Sequence, residues 1–292
     1  MSKWDPWERF MEGAACMTNI SLEEIRAYRQ SILPDRSIHS MEECLAAVNR
    51  LGMVWPFTPG NGLLPALFPA LATENEGQCW DWIWPWKDRL AASRQAYYGK
   101  VVGGKPTFVS LEWLGTLYAL TGNTGDLDDD LVAAGEQVRL HEMAIKVYQY
   151  IREYGPTGTR TLLARLSDGS RPMKSAVEKG IEQLDRLMLI VKSGTEGGNS
   201  IANIWDLFLR FHPEAVEAGT DLSTREAALR LLQHYFVLTP AVQGKQLEQL
   251  FPWNKGHQEK AIARLQEAGE IQRCLVEGKP GYCRPDLITT VA

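Results

Sequence analysis

Residues 141–192 read HEMAIKVYQYIREYGPTGTRTLLARLSDGSRPMKSAVEKGIEQLDRLMLIVK, and their pattern is the clearest indication of the fold class. Its apolar residues recur every three or four positions, which is the period of an amphipathic helix, and glycine-containing turns interrupt them twice. A short apolar run and a Gly-rich tip, Ser193–Ser200, follow, as expected of a strand that turns back. The predicted helices are His141–Tyr154, Arg160–Leu166 and Met173–Leu187, and the predicted strand is Met188–Lys192.

The same order of elements recurs in the last third of the chain. Apolar residues at helical spacing again precede a turn, two further helices and two short apolar segments around the turn Glu277–Gly281. The predicted helices of this copy are Thr224–Phe236, Gly244–Leu250 and Lys255–Ala268, and the predicted strands are Glu270–Val276 and Tyr282–Arg284. Three helices followed by a β-hairpin describe a winged helix-turn-helix, whose third helix commonly enters the major groove of DNA. Two such units in tandem predict a protein that binds nucleic acid.

The amino-terminal part is less regular but contains two helix-start signals. Ser21–Glu24 and Ser40–Glu43 both have the capping-box pattern, a serine followed three residues later by a glutamate. The first predicts a helix over Leu22–Ser31, and the second predicts a helix that ends at Gly52. With the apolar segment Met53–Phe57, these helices predict a third, degenerate helix-turn-helix. The predicted fold class is therefore α+β, mostly α, with three tandem winged helices.

Turn-forming segments divide the chain into three predicted domains. Asn123–Asp130 combines turn formers with an acidic run, which predicts a solvated connection; the ligand register and closing glutamate of a calcium loop are missing. Phe211–Asp221 contains proline and glycine and separates the two carboxyl-terminal copies. The predicted domains are residues 1–124, with the degenerate unit and a Trp-rich segment, residues 138–210 and residues 220–292.

Composition and charge restrict the possible functions. An apolar fraction of 45% and a charged fraction of 23% are typical of a globular protein, and no apolar run approaches the ~20 residues of a membrane span. The polar start lacks the features of a signal peptide, so we expect a cytoplasmic protein without a membrane partner. The net charge is −5, yet residues 140–194 and 223–285 each contain nine Lys/Arg and six Asp/Glu, a local excess that suits a polyanion.

Cysteines and histidines predict neither a metal site nor a cofactor. The five cysteines are scattered, and the five histidines form no pair at metal-ligand spacing. Cys274 and Cys283 flank the last predicted hairpin and are expected to be two reduced thiols that face each other.

Residues 79–88 read CWDWIWPWKD and place four tryptophans at every second position. If the segment is extended, all four share one face, which could stack bases or form a packed aromatic seam. The seam is favoured, because few basic residues interleave with the tryptophans. On a helix after this segment, Arg94 and Tyr98 would share a face that could meet phosphate, as could the nearby Lys100; a solvated face is the alternative.

Several of these segments resemble one family. Leu51-Gly52-Met53-Val54, Trp84-Pro85-Trp86-Lys87, Tyr98-Gly99-Lys100 and the two carboxyl-terminal units are similar to the AlkZ/YcaQ group. Members of that group are DNA glycosylases that unhook interstrand crosslinks and excise alkylated bases. The resemblance implies three tandem winged helices that form a concave, DNA-facing scaffold.

The catalytic motif of that family is the point of departure. The family has a Gln-x-Asp pair after Leu-Gly-x-Val, and the matching positions here are Trp55 and Phe57, with Pro56 between them. Neither indole nor phenyl can act as a general base or stabilise a sugar cation by charge. The prediction is therefore a non-catalytic relative that binds double-stranded DNA, damaged or distorted. Two alternatives stay open: a DNA glycosylase with a relocated carboxylate, and a module that binds a protein partner.

Positions within the units select candidate contacts. Asp81, Asp88 and Glu112 are the carboxylates nearest to the motif and are the candidates for a relocated acid. Phosphate and base contacts are expected from the start of the second helix, the start of the third helix and the wing tip. These candidates are Arg160, Arg171 and Lys174 in the first copy, and Asn254, Lys255, His257, Lys260 and Lys279 in the second.

Overall fold

Three β-sheets with one recurring strand order organise this protein. The structure, a computed structural model, describes residues 17–58, 63–73, 75–197, 202–251 and 255–288. In each sheet, a short strand that follows a helix pairs with the second strand of a later hairpin. The chain is mixed α/β and mostly helical, which confirms the predicted class at that level.

The helices are α1 (Leu22–Ile32), α2 (Met41–Leu51), α3 (Leu67–Ala70), α4 (Glu76–Ala92), α5 (Leu111–Thr121), α6 (Leu127–Gln137), α7 (Glu142–Tyr154), α8 (Thr159–Leu166), α9 (Arg171–Arg186), α10 (Phe208–Phe211), α11 (Pro213–Thr220), α12 (Thr224–Leu238), α13 (Gly244–Leu247), α14 (Lys255–Glu267) and α15 (Pro285–Ile288). The strands are β1 (Asn19–Ile20), β2 (Met53–Val54), β3 (Tyr97–Val102), β4 (Lys105–Val109), β5 (Thr157–Gly158), β6 (Ile190–Glu196), β7 (Ala202–Leu207), β8 (Ala241–Gln243), β9 (Gln272–Val276) and β10 (Lys279–Cys283).

Each sheet belongs to one repeat of the order helix, short strand, helices, hairpin. The first repeat consists of α2, β2, α3, α4 and the β3–β4 hairpin, and its sheet has the order β2-β4-β3. The second consists of α7, β5, α8, α9 and the β6–β7 hairpin, with the order β5-β7-β6. The third consists of α12, β8, α13, α14 and the β9–β10 hairpin, with the order β8-β10-β9, and β1 adds a fourth strand beside β9. The helices and strands predicted for the two carboxyl-terminal copies are present in the structure. The bounds of β6, α13 and β10 differ from the predicted ones.

Two large apolar cores hold the repeats, and a small third cluster lies where β1 and α1 meet the third sheet. The first and third repeats share one core, in which Val48 and Phe108 of the first join Leu231 and Leu265 of the third. The second repeat has its own core around Tyr148, with contributions from α7, α8, α9 and the β6–β7 hairpin. The first and third repeats therefore fold as one apolar body, against which the second is placed.

The amino-terminal helix α1 belongs elsewhere than predicted. β1 pairs in parallel with β9, and Tyr28 of α1 donates a hydrogen bond to the carbonyl of Val237 at 2.7 Å. Arg29 donates to Oγ1 of Thr239 at 3.2 Å. The predicted helix-turn-helix of Leu22–Ser31 with the next helix is thus wrong, because β1 docks on the edge of the third sheet. The first repeat uses α2, α3 and α4 as its helices.

The Trp-rich segment is helical and not extended, so the condition under which its four tryptophans would share one face is not met. It lies inside α4, whose start is capped by the side chain of Asn75, which accepts from the backbone N–H of Gly77 at 2.9 Å. Residues two apart in a helix point about 200° apart, whereas residues four apart nearly coincide. The structure accordingly pairs Trp80 with Trp84 and places the other two tryptophans of the segment together on another side.

The segment after α4 is a hairpin rather than a helix. α4 ends at Ala92, Arg94 lies in a turn with φ 56°, and Tyr98 lies in β3. Arg94 and Tyr98 therefore do not share a helical face. The tight turn between β3 and β4 has Gly103 and Gly104 at φ 60° and 65°, which a side chain would strain.

Both predicted connections are packed structure. In Asn123–Asp130, the carboxylate of Asp130 is buried and accepts a hydrogen bond from the hydroxyl of Tyr118 at 2.7 Å. In Phe211–Asp221, α11 packs against α5 so closely that a Cβ on Gly115 would lie 2.9 Å from that of Ala218. Composition predicts a solvated linker and a spacer, and both predictions are wrong, because the two segments pack against neighbouring helices.

Within the described ranges, no helix is long and apolar enough to cross a membrane. The same ranges contain no cluster of three or more His, Cys, Asp or Glu side chains that could hold a metal ion. Cys274 and Cys283 are free thiols in contact with each other, as predicted. Both side chains are fully buried.

Candidate nucleic-acid interface

The two positions that the resemblance aligns with the Gln-x-Asp pair, Trp55 and Phe57, follow strand β2. Trp55 is 1% exposed, and its backbone N–H donates to the carbonyl of Pro65 at 3.0 Å. Its indole nitrogen is buried without a hydrogen-bond partner among the described residues. Trp55 is thus a core residue.

Phe57 is half-buried and packs on helix α4. Its ring centroid is 5.2 Å from that of Trp80, nearly stacked, and 6.1 Å from that of Trp84. Trp80 is 41% exposed and Trp84 is 47% exposed, although both are large apolar side chains. We call Phe57, Trp80 and Trp84 the aromatic platform. Phe68 of α3 supports it from the side, 4.9 Å from Trp80.

A buried ionic cluster lies one helical turn beyond the platform. Asp88 of α4 accepts from the ammonium of Lys87 at 2.5 Å and, through the same oxygen, from the ammonium of Lys192 in β6. The ammonium of Lys87 lies 4.2 Å from the ring centroid of Trp84, and that of Lys192 lies 5.5 Å from that of Tyr98. Burial lowers the pKa of Lys192 to about 8, against the opposing effect of Asp88. The cluster joins the first repeat to the second and contains two cations for one anion.

The three candidate acids therefore differ in availability. Asp88 is 8% exposed and its Oδ1 is engaged by two ammonium groups, so it is not placed to activate a water. Asp81 is exposed on α4, one residue after Trp80, and Glu112 is exposed on α5. Of the three, Asp81 is the exposed carboxylate on the helix that contains the platform.

A second contact between repeats involves Lys100, one of the predicted phosphate contacts. Its ammonium pairs with Glu182 of α9 at 3.1 Å, and its backbone N–H donates to Asp185 at 3.2 Å. Burial raises the pKa of Asp185 to about 7. The buried hydroxyl of Tyr97 and the second oxygen of Asp185 have no hydrogen-bond partner among the described residues. Lys100 is thus part of the contact between the repeats.

The start of α8, where a phosphate is predicted, is occupied by a carboxylate of the β6–β7 hairpin, that of Glu196. The backbone N–H of Arg160 donates to Oε1 of Glu196 at 3.2 Å, and a Cβ on Gly158 would lie 2.4 Å from that carboxylate. Arg160 is exposed, and its guanidinium reaches the carbonyl of Gly197 at 3.5 Å. Glu196 supplies the negative charge that a helix N-terminus favours.

The other predicted contacts are spread over three surfaces. Arg171 and Lys174 are exposed in the first turn of α9, which Ser170 caps. Arg94 is exposed, with its guanidinium 4.7 Å from the ring centroid of Phe211.

In the third repeat, two predicted contacts are exposed and one is half-buried. Lys260 of α14 and Lys279 of β10 are exposed, whereas His257 has a buried Nδ1 without a partner among the described residues. Lys255 begins α14, and Asn254 lies outside the described residues.

Comparison with known proteins places the chain in a family. A family model described as AlkZ related matches residues 38–252. The chain belongs to this AlkZ-related family. No curated protein matches it in sequence.

The fold of this AlkZ-related protein is similar to one solved structure. That structure is the DNA glycosylase AlkZ of Streptomyces sahachiroi, with a TM-score of 0.53 and 16% sequence identity. The similarity covers 94% of this chain and 72% of that one, which confirms the predicted resemblance along most of the chain.

Three side chains of this AlkZ-related protein make contacts between distant elements that the sequence does not predict. In the sequence, Lys192 ends a predicted strand, Glu196 lies in the Gly-rich tip that follows, and Asp185 lies in a predicted helix. Lys192 pairs with Asp88 of α4, and Glu196 accepts a hydrogen bond at the start of α8. Asp185 accepts a hydrogen bond from the backbone of β3. The residue types gave no local signal, because isolated charges on an amphipathic helix or strand are usually solvated.

Proposed function

We propose that this chain binds double-stranded DNA through three tandem winged helices and does not excise bases. Each repeat has the order helix, strand, helices and hairpin, which is the order of a winged helix. On this assignment α4, α9 and α14 are the third helices, and the hairpins β3–β4, β6–β7 and β9–β10 are the wings. Membership of the AlkZ-related family, whose solved relative is named a DNA glycosylase, supports DNA as the partner.

The observation that carries the absence of catalysis is the filled motif site. Trp55 is buried in the core and Phe57 packs on two tryptophans, so no carboxylate or amide occupies these two positions. The nearby Asp88 is held by Lys87 and Lys192. An excess of positive charge beside the site would also oppose a developing sugar cation, since like charges repel strongly at low dielectric constant.

Exposed basic residues on the second and third repeats would supply phosphate contacts. Arg171 and Lys174 lie at the amino-terminal end of α9, the end that approaches DNA in helix-turn-helix proteins. In the third repeat, the exposed basic candidates are Lys260 in the second turn of α14 and Lys279 on the last hairpin. Lys100 contributes less, because Glu182 neutralises it.

One alternative function keeps a specific observation in its favour. Asp81 is an exposed carboxylate beside the aromatic platform, so a glycosylase with a relocated acid would use this residue. A purely protein-binding role is the outcome if DNA is not bound.

Fluorescence anisotropy with a labelled duplex, at about 50 and about 200 mM salt, tests the binding part of the proposal. We expect affinity to fall steeply with salt. Removing both Arg171 and Lys174 as alanine variants should lower the slope of log K against log salt by about two, because each phosphate contact contributes about 0.9. Arg225→Ala, at an exposed position in the first turn of α12, is the matched control. Absence of binding at low salt would refute the proposal.

A further inference from the structure

The exposed side of helix α4 combines aromatic rings with carboxylates. We propose that the aromatic platform, together with the carboxylates of Glu76 and Asp81, binds an arginine-containing basic segment of a partner protein. This surface belongs to the first repeat. A protein partner there is additional to the phosphate contacts proposed for the second and third repeats and does not depend on them.

The spacing along α4 places the rings and the carboxylates side by side. Glu76, Trp80 and Trp84 follow one another at intervals of four residues, so they lie in one row on the helix surface. Asp81 precedes Trp84 by three positions and is therefore its neighbour. All four side chains are exposed, and the two indole rings have centroids 6.3 Å apart. Exposed aromatic side chains that lie together are typical of an interaction site.

The charge exposed around the platform is negative. Residues 51–86 contain three acidic residues and no Lys, Arg or His. On α4 the exposed charges before Arg89 are those of Glu76 and Asp81, and neither forms an ion pair with a described residue. The buried ionic cluster has one surplus positive charge, which is fewer than the two exposed carboxylates. This surface therefore repels a phosphate backbone and attracts a cation.

Aromatic faces beside carboxylates fit an arginine side chain. A guanidinium stacks on an indole by cation–π attraction and donates two parallel hydrogen bonds to a carboxylate. The protein already uses this attraction internally, because the ammonium of Lys87 lies 4.2 Å from the ring centroid of Trp84. Tryptophan and arginine are also enriched among the residues that contribute most to protein–protein binding. The occupant that fits is therefore a basic protein segment.

The rings are held in place before a partner binds. Trp80 packs on Phe57 and on Phe68, with centroid distances of 5.2 and 4.9 Å. Trp84 is held by the ammonium of Lys87, which Asp88 fixes in turn. A side chain that is already ordered loses less entropy when it enters an interface.

The test uses a short fluorescein-labelled peptide of arginine and leucine, and the same peptide with citrulline in place of arginine. Citrulline keeps the shape of arginine and removes its charge. Fluorescence anisotropy should show that the protein binds the arginine peptide at least ~5-fold more tightly. Trp84→Ala should lower the affinity for the arginine peptide by roughly 2- to 30-fold, the contribution of one cation–π contact, and Trp84→Phe should retain part of it.

A second variant tests the charge. The combined change Glu76→Gln and Asp81→Asn should lower the affinity for the arginine peptide by about 2- to 5-fold and make it less dependent on salt, because exposed charges are screened.

Matched controls remove the same groups from other surfaces. Tyr154→Ala removes an aromatic side chain that is 63% exposed on α7. The combined change Glu178→Gln and Glu217→Gln removes two exposed carboxylates, on α9 and α11. Neither control should change the affinity for the arginine peptide. Thermal unfolding of every variant checks that the fold is intact.

Equal binding of the arginine and citrulline peptides would overturn the inference, as would an affinity that Trp84→Ala and the Glu76/Asp81 variant leave unchanged. Binding of a single-stranded oligonucleotide that Trp84→Ala abolishes would overturn it in favour of a nucleic acid. Self-association in sedimentation that Trp84→Ala abolishes would overturn it in favour of a second copy of the chain. Failure to bind duplex DNA would refute the proposed function and leave the protein partner standing.

Discussion

Lys192 of strand β6 and Asp88 of helix α4 form a buried ion pair that links the second repeat to the first. Lys87 shares the same carboxylate oxygen, so the cluster has a surplus positive charge in a site closed to water. This imbalance makes the roles of the three side chains unequal.

We expect Asp88→Asn to destabilise the protein far more than Lys192→Met. The first change leaves two buried ammonium groups without a counter-ion, which costs about 3–5 kcal/mol. The second removes the surplus cation and leaves the neutral pair of Lys87 and Asp88, so its cost should be below about 2 kcal/mol. Urea unfolding measures both, and equal losses for the two variants would contradict the unequal roles.

Asp185 should make stability depend on pH. Its pKa is raised from 3.8 to about 7 by burial, so the folded state retains a proton that the unfolded state releases above pH 4. Stability from this group is fully present below pH 4 and is lost as pH rises through 7. Asp185→Asn should therefore raise the melting temperature at pH 8 and change it little at pH 4.

Two groups help to interpret that measurement. His212, whose pKa burial lowers to about 4, is present in both proteins, so its own titration cancels in the difference. Glu182→Gln, a change in the neighbouring half-buried carboxyl whose pKa is lowered by Lys100, should give a smaller gain at pH 8, because it also breaks the ion pair with Lys100. A gain for Asp185→Asn that is equal at both pH values would count against a protonated Asp185.

Glu196→Gln should strengthen duplex binding. The carboxylate of Glu196 occupies the start of α8, where it would compete with a phosphate. Its removal should raise affinity by about 2- to 5-fold at low salt, the range expected for a charge at a helix terminus. Glu217→Gln on α11 removes the same charge from another exposed site and should have a smaller effect. Equal effects would show that only net charge matters.

Gly115→Ala should destabilise the contact between α5 and α11. A Cβ there would lie 2.9 Å from the Cβ of Ala218 and 3.1 Å from the carbonyl of Ala215, so backbone must move, at about 1–3 kcal/mol. Gly135→Ala in α6 is the control, because its nearest neighbour is 3.9 Å away and alanine favours a helix by about 0.5–1 kcal/mol. Calorimetry should give opposite signs for the two; a neutral Gly115→Ala would mean that the helices do not pack as closely as described.

The sequence predicted the elements with a clear period and clear ends. Ser21 and Ser40 cap the helices that they precede, as their spacing from Glu24 and Glu43 predicted. α4 was missed as a helix because tryptophans at every second position imitate a strand face.

Partnerships between distant residues could not be predicted. Asp88 and Lys192 are 104 positions apart, and Asp185 meets Lys100 across 85. No local pattern encodes such pairs, because they depend on how the repeats pack. The same reason explains why composition indicated a solvated linker where Asp130 is buried against Tyr118.

A single assay can measure both properties proposed for this protein, DNA binding and the absence of base excision. A duplex that contains a single alkylated base is incubated with a saturating concentration of the protein, and binding is verified by fluorescence anisotropy in the same sample. The strands are then treated with hot alkali and separated on a denaturing gel. We predict a bound duplex whose strands remain intact. Alkali-labile breaks at the alkylated base, above the level without protein, would contradict the claim, and their loss in Asp81→Asn would identify the relocated acid.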